Sequence, residues 1–123
     1  MKEAILDTSF ILDCVRDKID FFESLNHEGI NPLIPEQVIG ELEKVANSKK
    51  KEKFREDAKL ALRIIEENEF EKPDIGRGHV DKMIKKFAEQ NPKVMIASMD
   101  KELKDKVPNQ KIVVRNNQHM DII

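Results

Sequence analysis

Short runs of consecutive apolar residues alternate along this chain with longer segments whose apolar residues recur at helical spacing. The runs predict buried strands at residues 4–6, 32–34, 94–97 and 112–114. The loop from 71 to 79 contains Pro73 and two glycines, and a short strand is expected inside it at 74–75. Strands that are apolar throughout and are separated by helices indicate a parallel sheet covered on both faces. The sequence therefore predicts a doubly wound α/β domain.

The intervening segments have the apolar periodicity of amphipathic helices. Apolar residues recur at helical spacing from Phe10 to Phe22, which predicts one helical segment there. Further helices are expected near residues 35–45, 54–65, 80–88 and 101–107. The chain of 123 residues contains no internal repeat and no linker, and it is long enough for one core but too short for two. We therefore expect a single domain spanning residues 1–123.

Composition narrows the class of protein. The formal net charge is −2, so overall charge does not favour nucleic-acid binding, although a local basic patch would. The one cysteine, Cys14, excludes an internal disulfide and fits a reducing cytosol. No apolar run reaches the roughly 20 residues of a membrane span, and the N-terminus does not have the pattern of a signal peptide. We expect a cytoplasmic protein without a membrane partner.

Two acidic residues follow predicted strands closely. Asp7 comes directly after the strand at 4–6, and Asp100 follows the strand at 94–97 with Ser98 between them. Ligands of doubly wound folds bind beyond the carboxyl ends of the strands, so both acids are expected at the ligand-binding edge. Aspartate is a favoured N-cap residue, so Asp7 is explained equally well as the cap of the next helix, and for Asp100 taken alone the cap is the slightly better explanation.

Two further acids lie on predicted helices. Glu41 lies within the arc defined by Val38, Leu42 and Val45, and a core-facing carboxylate is costly unless a basic side chain or a metal ion compensates it. Asp81 lies in a first helical turn, where a negative charge is favourable by itself. Clustered carboxylates normally indicate a divalent cation, and an oxygen-only donor set favours Mg²⁺ or Mn²⁺ over Zn²⁺.

The four acids lie in four short segments, which are LDTS at 6–9, VIGEL at 38–42, VDKMI at 80–84 and SMDKEL at 98–103. These segments resemble, in the same order, the signature blocks of the PIN-domain ribonucleases. The segments AKLALRII at 58–65 and KIVVR at 111–115 resemble the branch that contains ribosome-biogenesis PIN nucleases and VapC-type toxins. The resemblance implies a three-layer α/β/α sandwich around a mostly parallel five-stranded sheet, and metal-dependent endonucleolytic cleavage of RNA.

The resemblance also assigns the site. It implies that four acids are the catalytic and metal-binding residues for Mg²⁺ or Mn²⁺: Asp7, Glu41, Asp81 and Asp100. Ser98 matches the threonine or serine found two positions before the last acid. Ser9 departs from the asparagine often found after the first acid and keeps a hydroxyl in place of an amide. Thr8, Ser9 and Ser98 are expected to hydrogen-bond to the metal ligands or to phosphate.

An acidic site must still bind a polyanion, and one basic run is the main candidate for contacts with RNA phosphates. Its members are Lys49, Lys50, Lys51, Lys53 and Arg55. A solvated helix start or a mobile loop explains the same run equally well. The chain has no Tyr or Trp and only six Phe, so base stacking is not expected to dominate recognition. Besides RNA, the resemblance implies an antitoxin or a ribosome-assembly protein as partner, and a homodimer.

Three functional hypotheses follow. The first is an RNA-cleaving enzyme, acting either in RNA processing or as the toxin of a toxin–antitoxin pair. The second is a catalytically silent PIN module that binds RNA or an assembly partner. The third is a phosphoaspartyl enzyme or receiver with Asp7 as acceptor, which would need a second acid at the position of Ser9. The complete set of four acids favours the first hypothesis.

Overall fold

The computed structural model describes residues 2–116 and 118–123, in which strands and helices alternate. The strands are β1 (Lys2–Leu6), β2 (Ile30–Leu33), β3 (Met95–Ala97), β4 (Lys111–Arg115) and β5 (His119–Ile122). The helices are α1 (Thr8–Arg16), α2 (Phe21–His27), α3 (Glu36–Ala46), α4 (Glu52–Glu66), α5 (Val80–Gln90) and α6 (Lys101–Asp105).

The five strands form one sheet in the order β2-β1-β3-β4-β5. All neighbouring pairs are parallel except β4 and β5, which are antiparallel. Ala4, Ile5 and Leu6 have no exposed surface, and successive strand residues point to opposite faces of a sheet. Both faces of β1 are therefore covered. This confirms the predicted three-layer α/β/α fold with a mostly parallel five-stranded sheet.

The fifth strand does not lie where the sequence pattern placed it. Residues 74–75 form no strand, and the nearest pairing is a single parallel bridge between Leu33 and Glu71. The fifth strand is β5, which pairs antiparallel with β4 at the edge of the sheet. Three of its four residues are partly buried and one is exposed. An edge strand of this kind lacks the continuous apolar run by which the other strands were predicted.

The helical segment predicted from Phe10 to Phe22 is two helices. The chain leaves α1 after Arg16, and Lys18 has a φ of 59°, which a continuous α-helix does not contain. A new helix then begins, because the Asp20 carboxylate accepts a hydrogen bond from the backbone N–H of Glu23 at 3.0 Å. Both helices bury their apolar residues in the same core, so the apolar spacing continues across the break.

Three of the helices pack together beside the carboxyl ends of the strands. Helix α3 packs against α4, and α1 packs against both. The buried residues of α3 are Val38, Leu42 and Ala46, one row at a spacing of four. This packing holds the first turn of α1 against the middle of α3. In the ranges 2–116 and 118–123, no helix is long and apolar enough to span a membrane.

Candidate active site

The candidate site lies where β1 and β3 end side by side. Leu6 pairs with Ala97, and the backbone N–H of Asp7 donates to the carbonyl oxygen of Ala97 at 2.9 Å. Strand β2 lies on one side of β1 and β3 on the other, so the chain changes direction across the sheet at this point. Such a switch point leaves a crevice beyond the strand ends, which is where ligands bind in doubly wound folds.

Asp7 is held almost completely out of solvent. Its residue is 4% exposed. One carboxylate oxygen accepts from the backbone N–H of Thr8 at 2.8 Å, and the other accepts from the hydroxyls of Ser98 at 2.9 Å and Ser9 at 3.2 Å. Burial raises the pKa of Asp7, the nearby Asp81 carboxylate adds to this, and the hydrogen bonds oppose it.

The two serine hydroxyls connect the ends of the strands. Ser98 is fully buried; it donates to Asp7 and accepts from the backbone N–H of Asp100 at 3.0 Å. The hydroxyl of Ser9 accepts from the backbone N–H of Met99 at 3.1 Å. One hydroxyl network therefore fixes both the Asp7 carboxylate and the backbone that carries Asp100.

Asp100 also acts as the N-cap of α6. Its Oδ1 accepts from the backbone N–H groups of Glu102 at 2.9 Å and Leu103 at 3.3 Å. The structural explanation of Asp100 as a helix cap is thus present in the fold. The residue is only partly buried, and it lines the same cavity as Asp7. Capping and a site role are compatible, because a carboxylate has two oxygens with several acceptor positions.

Glu41 lies beside the buried face of α3 and not within it. The expectation of a core-facing carboxylate is corrected here, because Glu41 and Val45 are partly buried whereas Val38 and Leu42 are fully buried. The hydroxyl of Thr8 donates to Oε1 of Glu41 at 2.5 Å. Among the described residues, Glu41 forms no ion pair with Lys or Arg.

Asp81 completes the set from the first turn of α5. Burial raises its pKa, the Asp100 carboxylate raises it further, His79 lowers it, and Glu41 raises it. Charge repulsion therefore links Asp81 to Asp7, Asp100 and Glu41. The four acids come from four separate parts of the chain, and the fold places them within electrostatic reach of one another.

All four acids line one cavity of about 540 Å³, which we call the acidic cavity. Thr8 and Ser9 line it too, while Ser98 lies beneath it, fully buried. A second cavity of about 550 Å³, between α2 and β5, contains His27 and His119. Size therefore does not single out the acidic cavity, but the convergence of four carboxylates does.

Two further residues of the acidic cavity were not expected from the sequence. Lys44 and Ser48 lie three and seven positions after Glu41, so helical spacing places them on the side of α3 that carries it. The Ser48 hydroxyl donates to the carbonyl of Val45 at 2.8 Å and accepts from the backbone N–H of Lys50 at 3.2 Å. This turn directs the chain so that Lys50 also lines the cavity. The helical spacing of Lys44 and Ser48 from Glu41 was the sequence signal that could have identified them.

The basic run from Lys49 to Arg55 is only partly brought to the site. Lys50 lines the acidic cavity, and its neighbours do not. Lys49, Lys51 and Lys53 are exposed, and Arg55 is partly buried on α4. The structure therefore selects one lysine of this run and adds Lys44 from the preceding helix.

The donor set of the acidic cavity fits a hard divalent cation. The lining groups that can bind a cation are carboxylate and hydroxyl oxygens, since the lysine ammonium groups have no lone pair, and no described His or Cys lines the cavity. As the side chains stand in the described ranges, no three acidic, His or Cys side chains are close enough to hold one ion together. Asp100 caps α6 through Oδ1, and Glu41 accepts from Thr8. Three of the acids could hold one cation together only after at least one side chain rotates.

Comparison with known proteins identifies the family. A family model described as a PIN like domain matches residues 4–118, so the chain belongs to the PIN-like domain family. This confirms the resemblance seen in the four sequence segments.

Two curated relatives and one solved structure illustrate the similarity. The rRNA-processing protein fcf1 of Schizosaccharomyces pombe is 33% identical over 108 residues, which is 84% of this chain and 52% of that protein. The chain thus spans about half the length of that relative. Ribonuclease VapC4 of Methanocaldococcus jannaschii is 27% identical over 128 residues, covering 99% of this chain and 97% of that protein. The structure of the PIN domain endonuclease Utp24 matches with a TM-score of 0.80 at 27% identity, over 98% of this chain and 90% of that chain. The family is one of nucleases with members in RNA processing and among VapC ribonucleases.

Proposed function

We propose that this protein is an endoribonuclease that hydrolyses RNA phosphodiester bonds with the help of Mg²⁺ or Mn²⁺. The observation that carries the proposal is the convergence of Asp7, Glu41, Asp81 and Asp100 on one cavity at the ends of β1 and β3. Like-charged groups repel one another, so such a cluster normally indicates a compensating partner. The kinship with a named ribonuclease and a named endonuclease supports the same reaction.

The four carboxylates would hold the cation. Such a cation supplies activation of water and stabilisation of the negative charge that develops on the phosphate and on the leaving oxygen. Ser98 and Ser9 keep the Asp7 carboxylate in one orientation, and Ser98 also fixes the backbone of Asp100. Because Asp7 is 4% exposed, its interaction with a positive charge is screened less than that of a surface carboxylate.

The lysines of the acidic cavity would hold the RNA backbone. Lys44 and Lys50 are exposed and line the cavity that contains the acids. Each would place an ammonium group beside a phosphate oxygen, a contact that carries no base information. The substrate is therefore expected to be selected by its flexibility or shape.

Two biological roles are compatible with this chemistry: RNA processing, and the toxin of a toxin–antitoxin pair. The similarity to an rRNA-processing protein favours the first role, with a ribosome-assembly protein as partner, and the similarity to VapC4 favours the second, with an antitoxin as partner. Both use the same chemistry. Expression of the chain alone in a bacterial or archaeal host separates them, because a toxin arrests growth unless its antitoxin is present.

The test is replacement of the strand-end acids. Asn at positions 7 and 100 keeps the size and the capping ability of Asp but removes the charge. In Mg²⁺ or Mn²⁺, we expect Asp7→Asn and Asp100→Asn each to lower cleavage of a fluorescent single-stranded RNA by about 100-fold or more, since replacing groups that merely support a metal ligand already costs 10–100-fold. Asp57→Asn on α4, which lines no described cavity, is the control.

Undiminished metal-dependent cleavage in folded Asp7→Asn and Asp100→Asn variants would contradict the proposal. A wild-type protein that binds RNA but cleaves none in either cation would instead support the second candidate, a silent RNA-binding module. That candidate is favoured by one observation, namely that no three described acidic, His or Cys side chains share a position for one ion as they stand.

A further inference from the structure

A smaller cavity of about 260 Å³ adjoins the acidic cavity. Asp81 and Asp100 line both cavities, so these two acids form the boundary between them. The smaller cavity is also lined by Lys82, Lys85 and Lys106, and we call it the lysine cavity; its remaining lining residues are His79, Glu102 and Leu103. The lysines of the acidic cavity thus lie on one side of the shared acids, and the lysines of the smaller cavity lie on the other.

The three lysines of the lysine cavity come from two helices. Lys82 and Lys85 are three residues apart on α5 and share one side of the helix, while Lys106 is the C-cap of α6. Helix α5 therefore presents Asp81 to the acidic cavity and two lysines to the cavity beside it.

These lysines are available for a new partner. Lys85 and Lys106 pair with Glu89 at 3.3 Å and Glu102 at 2.8 Å, and their side chains are 41% and 52% exposed. Exposed ion pairs between neighbouring helical turns are weak, so a phosphate can replace the carboxylate at little cost. Lys82 has no ion pair in the part of the chain that the structure describes.

We propose that the lysine cavity is a subsite for the sugar–phosphate backbone of RNA. A strand whose reacting phosphate lies over Asp81 and Asp100 carries further phosphates on both sides of these acids. Lys44 and Lys50 bind the strand on one side, and Lys82, Lys85 and Lys106 bind it on the other. The inference rests on the proposed function, and it adds the path of the substrate across the site.

The lysine cavity binds backbone and does not read bases. No described Phe lines it, and among its described lining residues His79 alone has a ring, so base stacking is limited to one imidazole. Ammonium groups on flexible stems recognise a phosphate as a point charge. The subsite therefore strengthens binding of any single strand and depends strongly on salt.

The experiment compares two triple variants of equal charge. The test variant is Lys82→Gln, Lys85→Gln and Lys106→Gln. The control variant is Lys59→Gln, Lys72→Gln and Lys86→Gln. Lys59 and Lys72 resemble Lys85 and Lys106, with exposures of 51% and 49% and ion pairs of 3.5 and 2.9 Å. Lys86 matches Lys82 as an exposed lysine of α5, but it lines a different cavity.

Binding of a fluorescent 12-nucleotide single-stranded RNA is measured by anisotropy in EDTA at several salt concentrations. We expect the test variant to bind at least about tenfold more weakly at low salt, and its salt slope to be smaller by about 0.7 for each phosphate that no longer pairs with a lysine. The control variant should bind within about twofold of the wild type. Equal weakening in both variants, or no change in the test variant, would overturn the subsite.

Failure of the subsite and failure of the nuclease are distinguishable. If the wild type cleaves RNA but the test variant binds as the wild type does, the subsite is wrong and the nuclease stands. If the test variant loses binding but the wild type cleaves nothing, the lysine cavity stands as an RNA site and the proposed reaction is wrong.

Discussion

Asp81 carries a negative charge that its surroundings disfavour. Burial and the Asp100 carboxylate raise its pKa, and Glu41 adds to this effect. The first turn of a helix should favour an acid through the helix dipole, and His79 also favours the charged form. Burial and repulsion together outweigh the effect of His79, so the pKa of Asp81 is raised. A carboxyl group whose pKa is raised by folding destabilises the folded state once it ionises.

Asp81→Asn should therefore stabilise the protein when no divalent cation is present. The stability of the wild type falls as the pH rises from 3.8, the unfolded value, through the raised pKa of the folded state. At pH 7 in EDTA we expect the melting temperature of the variant to exceed that of the wild type by about a few °C or less. The difference should shrink as the pH falls through the raised pKa, because Asp81 is then protonated in the folded state, and below pH 3.8 it becomes protonated in the unfolded state as well.

Thermal melts between pH 3.5 and 8 provide the measurement. Asp57→Asn removes a partly buried aspartate of α4 that does not line the acidic cavity, and should give no such gain. A lower melting temperature for Asp81→Asn at pH 7 would show that the helix dipole and His79 dominate, and the account of charge repulsion at this residue would be wrong.

On helix α3, the residues that pack in the core and the residues that line the acidic cavity form adjacent rows. Val38, Leu42 and Ala46 are buried in one row. Glu41 and Val45 form the next row and line the acidic cavity, together with Lys44. One turn of the helix thus contributes both to the core and to the site.

Substitutions at two neighbouring residues of α3 should affect stability and cleavage separately. Leu42→Ala removes a fully buried side chain and should lower the free energy of unfolding by about 2–5 kcal/mol. Glu41→Gln keeps the oxygen that accepts from Thr8, so its effect on unfolding should stay within about 0.5 kcal/mol. Cleavage by Glu41→Gln should nevertheless fall by about tenfold or more, because one carboxylate of the site is lost.

Urea unfolding and initial cleavage rates, measured on the same preparations, check this division. A large loss of stability in Glu41→Gln with unchanged cleavage would assign Glu41 to the structure and remove it from the site.

At the level of elements, the strands were predictable where burial was continuous. Residues 4–6 and 94–97 are buried throughout, and an apolar run is the direct sequence signature of that state. Strand β5 is a partly buried edge strand. It forms by pairing with β4, and its own sequence does not have the apolar run that predicts a strand. The break near Lys18 was also not predictable from the apolar pattern. The two helices pack in the same core, so the helical spacing of apolar residues continues across the break.

Across the whole molecule, basic and acidic residues are nearly equal in number but unevenly distributed. The chain has 22 basic and 24 acidic residues. The fold collects four acids at the end of β1 and β3 and places lysines in the cavities on both sides of the shared acids, Asp81 and Asp100. Net charge alone does not decide whether a nucleic acid could bind, because attraction of a strand depends on the local arrangement of charge.

Cation binding should be visible in the stability of the whole molecule. A ligand that binds only the folded state stabilises it by about 2.7 kcal/mol at 100 times its Kd. We expect Mn²⁺ to raise the melting temperature of the wild type, and to raise it much less in a variant that combines Asp7→Asn with Asp100→Asn. An equal rise in both proteins, at matched ionic strength, would show that the cation binds elsewhere.

The sequence by itself determined the fold class and the family, and it predicted the four acids as site residues. These depend on local signals, since apolar runs, helical periods and short motifs are written in consecutive residues. Tertiary structure decided which other residues belong to the site. The pairing of Leu6 with Ala97 brings Ser98 to Asp7, and helix packing brings Thr8 to Glu41. The placement of Lys44, Lys85 and Lys106 around the acids also depends on contacts between distant segments, which no local pattern records.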